Sequence, residues 1–219
     1  MYKRQILYGG VPYYTEPVKS IDGDKKARST QDEIWDYLIQ DLTSCIDDPN
    51  LPNKYGADSE DYGHVTKGAA YALKSRAMLY AKRWQDAYDA ANNVIALKLY
   101  GLTDKYEDAW KGNNKEAILE FDYDAANGPN HLFDRYYVPQ CDGYDNGSTG
   151  TPTQEMVECY ESKNGEKIDR SNSSQLAKGA LPLKYGMDPD MKDGQSGIDV
   201  VIYRYADVLL TLAECINRN

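Results

Sequence analysis

Two helical patterns placed back to back constrain this chain more than anything else in it. Residues 66–82 and 84–95 carry apolar side chains at helical spacing: Ala69, Ala70, Leu73, Ala77 and Tyr80 in the first, Ala87, Ala91, Val94 and Ile95 in the second. Thr66 stands where an N-cap is needed, and Trp84 marks a tight turn between the two. Helices joined this closely lie antiparallel. Side chains this small let their backbones approach.

The pair looks like a degenerate tetratricopeptide repeat, with Trp84, Ala87, Ala91 and Val94 at the aromatic and small-residue positions. Other helical hairpins carry the same pattern. A further helix begins at Thr30, which with Glu33 makes a capping box, and continues through Ile34, Trp35, Leu38, Ile39, Leu42 and Ile46. Residues 199–218 read as one closing helix with Val208, Leu209, Leu212, Ala213 and Ile216 facing a core. Arg204 and Asp207, three apart, are within reach of a helical ion pair. Short helices are predicted at Lys105–Trp110 and Pro152–Tyr160, the latter with Met156, Val157 and Tyr160 inward. A short strand is predicted at Ile118–Tyr123, and an extended piece around Leu181–Tyr185. The fold class is mainly α, with long loops and little β.

Charge and composition exclude several functions. A formal net charge of −10 without a basic run argues against nucleic acid. No apolar run approaches the length of a membrane-spanning helix, and Met1 to Gln5 carry neither a signal peptide nor a lipidation cysteine. Cys45, Cys141, Cys159 and Cys215 form no C-x-x-C pair; Cys45 and Cys215 fall in helical patterns as small buried hydrophobes. The stretch from Asp188 to Asp199 has the acid count of a calcium loop, but Lys192, Asp193 and Asp199 stand at positions five, six and twelve. No metal or other cofactor is assigned. With His64 and His131 the only histidines, no Ser-His-Asp arrangement is legible, and no residue is assigned as catalytic. Asp122 with Asp124, or Asp142 with Asp145, are the candidates a glycoside hydrolase would need.

The chain holds 20 Tyr and only 2 Phe. Tyrosine offers a flat apolar face with a polar handle, suited both to wet helix interfaces and to sugar rings. From Ala125 to Thr151 the chain is loop-like and long enough to be functional. Its candidate glycan-binding residues are Asn130, Arg135, Tyr136, Tyr137, Asp142 and Tyr144: aromatic faces to stack on pyranose rings, amide, guanidinium and carboxylate groups to meet hydroxyls. Tyr136 and Tyr137 could equally anchor the loop to the helices. Trp35 and Trp84 sit at helix-core positions.

Six segments in order resemble the SusD/RagB family. They are the GGVP of Gly9–Pro12 with the TEP of Thr15–Pro17, the helix from Ser29 to Ile46, and the VTKGAAYALKSRAMLY of Val65–Tyr80. The NNKE of Asn113–Glu116 with Ile118 and Phe121, the PTQE of Pro152–Glu155, and the RYADVLLTLAE of Arg204–Glu214 complete the set. The resemblance implies a single SusD/RagB-like domain over 1–219, truncated at both ends, with tetratricopeptide-like helix hairpins. It implies non-catalytic capture of an oligosaccharide or polysaccharide at the outer-membrane surface. The partner it implies is a SusC-like TonB-dependent transporter, and membrane association comes only through a lipid anchor absent from this chain. Arg204, Asp207 and Glu214 belong on this view to the scaffold. The runner-up is a tetratricopeptide-like peptide-binding scaffold.

Overall fold

The computed structural model describes residues 6–20, 25–56, 58–124, 128–132, 153–161, 164–166 and 195–218. Its elements in chain order are α1 (Gln31–Asp47), α2 (Lys67–Tyr80), α3 (Trp84–Ala96), a 3-10 turn (Tyr106–Trp110), β1 (Ala117–Phe121), α4 (Gln154–Glu158), β2 (Val200–Arg204) and α5 (Tyr205–Arg218). The chain divides into two compact units. One contains Met1–Asp104, Asn113–Glu120 and Val201–Asn219; the other contains Lys105–Gly112 and Phe121–Val200. The predicted extended piece at 181–185 lies outside the described residues.

Local chemistry starts the helices of the first unit. Thr30 caps α1 reciprocally: its Oγ1 accepts from the Glu33 N–H, while Glu33 Oε2 accepts from the Thr30 N–H at 2.7 Å. Thr66 Oγ1 accepts from the Ala69 N–H at the start of α2. Gly68 follows because Tyr100 lies against that first turn; a Cβ there would meet the Tyr100 hydroxyl at 2.1 Å. The turn into α3 is a Schellman motif. Arg83 N–H bonds back to Met78 O and Lys82 N–H to Leu79 O, with Lys82 at φ 59 in the left-handed region.

The helices α2 and α3 pack on each other, α1 packs on α2, and α5 packs on both α2 and α3. Two cores result. Ala69, Ala72, Ala91 and Val94 meet Ile118, Tyr203 and Val208 in one. Trp35, Ala77, Met78, Ala87 and Cys215 form the other. Small residues at the contacts let the helices approach, as the sequence predicts.

Several faces turn differently from their hydropathy. Tyr80 is exposed, while Met78, two residues earlier, is fully buried. Cys45 is exposed; only Cys215 of the two helical cysteines is buried. Trp84 is half-buried, with the Arg218 guanidinium 5.8 Å from its ring centroid. In the second unit Met156 and Tyr160 of the α4 region are exposed, not inward.

The largest departure is at the closing segment. It is not one helix: residues 200–204 form β2, paired with β1, and the chain enters α5 at Tyr205 without an intervening loop. Val200, Val201, Ile202 and Tyr203 are β-branched or aromatic and favour the strand. The buried positions of α5 are accordingly Val208, Thr211 and Cys215, while Ala213 and Ile216 are exposed. The Arg204–Asp207 ion pair does not form. Arg204 Nη1 instead donates to Glu116 Oε1 at 2.8 Å. Asp207 pairs with Arg76 at 3.0 Å and accepts from the Arg204 backbone N–H at 3.3 Å. Tyr205 N–H donates to the Glu116 carbonyl at 2.9 Å. Thr103 gives Glu116 Oε2 two more bonds of 3.0 Å each, from N–H and Oγ1. The Arg76 guanidinium also lies 4.3 Å from the Tyr203 ring centroid. The charges at the head of α5 therefore knot α2, β1, β2 and α5 together. Glu214, further along, makes only a surface pair with Arg218.

Candidate functional site

Of the six candidate residues, Asn130 is described and exposed, whereas Arg135, Tyr136, Tyr137, Asp142 and Tyr144 lie outside the described residues. What the structure shows is the base from which that loop departs, in the second unit. After β1, residues 122–124 and 128–132 are described. Asp124 N–H bonds to Pro129 O at 2.9 Å and Gly128 N–H to Asp124 O at 3.0 Å. His131 and Ser196 then form an antiparallel bridge with bonds of 3.1 and 2.7 Å. Asn130 is the exposed residue just before that bridge.

The base is fixed by polar contacts that the sequence did not announce. Tyr123 N–H donates to Asp199 Oδ1 at 2.7 Å, and Asp199 is buried. Gly112, at φ +70, makes room for this carboxylate: a Cβ there would sit 1.8 Å from Asp199 Oδ2. Tyr123 and His131 meet edge to face with centroids 4.7 Å apart. His131 Nε2 lies 2.7 Å from the Ile198 carbonyl, which can only accept, so Nε2 carries the proton. Phe121, at the end of β1, and Leu132, two residues after Asn130, are exposed.

Asp122 and Asp124 are exposed, and the main chain of Asp124 bonds to Pro129 and Gly128. Asp142 and Asp145 lie outside the described residues, as do residues 188–194 of the calcium-like stretch. Asp199, its twelfth position, serves Tyr123 instead. Among the described residues no group of three or more His, Cys, Asp or Glu is placed to hold a metal. None of their helices is long and apolar enough to cross a membrane.

No protein-family profile matches the chain. It is 26% identical over 120 residues to a SusD-like protein of Formosa agariphila, covering 53% of this chain and 22% of that protein. It is 23% identical to a SusD-like protein of Bacteroides ovatus, covering 97% of this chain and 46% of that one. Its fold matches the crystal structure of a SusD-like carbohydrate binding protein of Bacteroides fragilis with a TM-score of 0.78 at 21% identity, covering 98% of this chain and 52% of that one. The chain thus spans about half or less of the length of each of these relatives. Likeness in sequence along nearly the whole chain coincides with likeness in fold, and both point to SusD-like proteins.

Proposed function

We propose that this protein captures a glycan without transforming it, and that the loop from Asn130 to Tyr144 is the binding surface. The observation that carries the reading is the match, over 98% of the chain, to a structure named as a carbohydrate binding protein. The loop chemistry supports it. Three tyrosines supply faces for sugar rings, and Asn130, Arg135 and Asp142 supply donors and acceptors for hydroxyls. Asn130 stands exposed on a base held by hydrogen bonds, so a ligand would not have to order that base on binding. A charge of −10 suits a neutral ligand better than a polyanion. The protein acts at the cell surface and passes the bound glycan to a TonB-dependent outer-membrane transporter.

A polysaccharide panel titrated against wild type, Tyr136→Ala, Tyr137→Ala and Tyr144→Ala tests this. Loss of a stacking platform should weaken binding about tenfold in at least one variant. Equal affinity in all three removes the loop as the site. Binding of no glycan overturns the function itself.

A further inference from the structure

The strand β1 buries its acid and exposes its aromatic residue. Glu120 is 4% exposed and the next residue, Phe121, is 58% exposed. One carboxylate oxygen explains part of this: Oε1 accepts from the Tyr62 hydroxyl and from the Asn113 N–H. Oε2 is buried and has no hydrogen-bond partner among the described residues. A buried acceptor in that state is costly, and a donor brought to it is correspondingly favoured.

Glu120 borders a cavity of about 30 Å³ in the first unit, which Lys54, Tyr55, Tyr62, His64 and Leu119 also line. The Lys54 ammonium lies 4.7 Å from the Tyr100 ring centroid. Burial draws its pKa below the ordinary lysine value, and the Glu120 charge pulls it back up. The Tyr55 ring meets the His64 imidazole edge-on at 6.3 Å, forming an aromatic corner beside the cavity.

These groups select among ligands. A cation is repelled by Lys54, an anion by Glu120, and an apolar group leaves Oε2 unmet. A neutral hydroxyl donates and accepts at once and so suits both charges. A water needs about 10–15 Å³, so this cavity admits a hydroxymethyl group but not a sugar ring. We propose that the cavity is a carbohydrate subsite in which a protruding hydroxymethyl donates to Glu120 Oε2 and accepts from Lys54 Nζ, with its ring against Tyr55. The subsite shares no residue with the 130–145 loop. It rests on the reading that the ligand is a glycan and not on where that glycan meets the loop.

The probes are methyl glucoside, galactoside and mannoside with their 6-deoxy counterparts, followed by amide chemical shifts in wild type, Lys54→Met, Glu120→Gln and Tyr136→Ala. Lys54→Met keeps the aliphatic stem over Tyr100, and its melting temperature reports whether the fold persists. At least one hexoside should shift Tyr55 and His64. Its binding should weaken about tenfold in Lys54→Met, in Glu120→Gln and on losing the 6-hydroxyl, and should be unchanged in Tyr136→Ala. Hexoside binding unaltered in a folded Lys54→Met overturns the subsite. So does a wild type that binds polysaccharide through the loop while no hexoside shifts Tyr55 or His64, a result that leaves the loop reading standing. Failure to bind any carbohydrate overturns both.

Discussion

Replacing Arg204 with Met strands a buried carboxylate. Glu116 and Arg204 have side chains only 4% and 16% exposed, and their ion pair measures 2.8 Å. Charges about 4 Å apart attract by about 4 kcal/mol at an effective dielectric near 20. Removing one partner of a buried pair costs about 3–5 kcal/mol, because the other is left charged and dry. Here the two Thr103 donors remain on Glu116 Oε2, which places the expected loss near the lower end, about 3 kcal/mol. At about 2–4 °C per kcal/mol for a chain of this size, the melting temperature falls by about 6–12 °C. Glu116→Gln combined with Arg204→Met removes the stranded charge and should recover about 2 kcal/mol of that loss, the coupling that a double-mutant cycle reads. Arg218→Met is the control: its bond to Glu214 is also 2.8 Å, but both side chains are exposed, so its loss should stay within about 0.5 kcal/mol. Urea unfolding followed by circular dichroism measures these three variants together with Glu116→Gln alone, which completes the cycle. A coupling below about 0.5 kcal/mol, or equal losses at Arg204 and Arg218, would refute the view that this charge knot fastens the end of β2 to the residue before β1.

Three other outcomes follow from the geometry. Gly112→Ala should destabilise by about 3 kcal/mol, since its Cβ would enter the Asp199 carboxylate from a left-handed backbone; an unchanged melting temperature contradicts this. Lys82→Gly should stabilise by about 1 kcal/mol by relieving the left-handed lysine that ends α2, and denaturant titration showing a loss instead would mean the lysine side chain outweighs the backbone. Glu33 is held below the ordinary glutamate pKa, first by the Thr30 backbone N–H and then by its hydroxyl. Its contribution is therefore present above the unfolded-state value and lost as pH falls through the lower folded one. Glu33→Gln should cost stability at neutral pH and little in acid, and a penalty that grows on acidification would reverse the sign.

The order in which elements could be read follows the range of the interactions that fix them. The Thr30–Glu33 box and the Thr66 cap are complete within four residues, and both helices start where those residues stand. The residues 200–204 misread as helix show the limit: apolar residues at 201, 208 and 212 fit a helical period, while the strand they join is formed with β1, some eighty residues earlier. Burial of Glu120 ahead of Phe121 was likewise invisible, because Tyr62 and Asn113 supply its donors. At the candidate site, Asn130 and its tyrosine-bearing loop are proposed from composition alone. The frame beneath it, Tyr123, His131, Asp199 and Gly112, was not, since each finds its partner across a gap that no spacing rule spans.

By itself the sequence determined the helical hairpin, the caps, the mainly α class and the likeness to the SusD-like family. Those properties depend on hydrophobic period and neighbouring side chains. Only the tertiary structure decided that Arg204 serves Glu116 and leaves Asp207 to Arg76. It alone placed an unmet carboxylate oxygen at Glu120 beside a small cavity. A charge taken out of water must find a partner wherever the fold brings one, and that choice is made by the packing of distant segments.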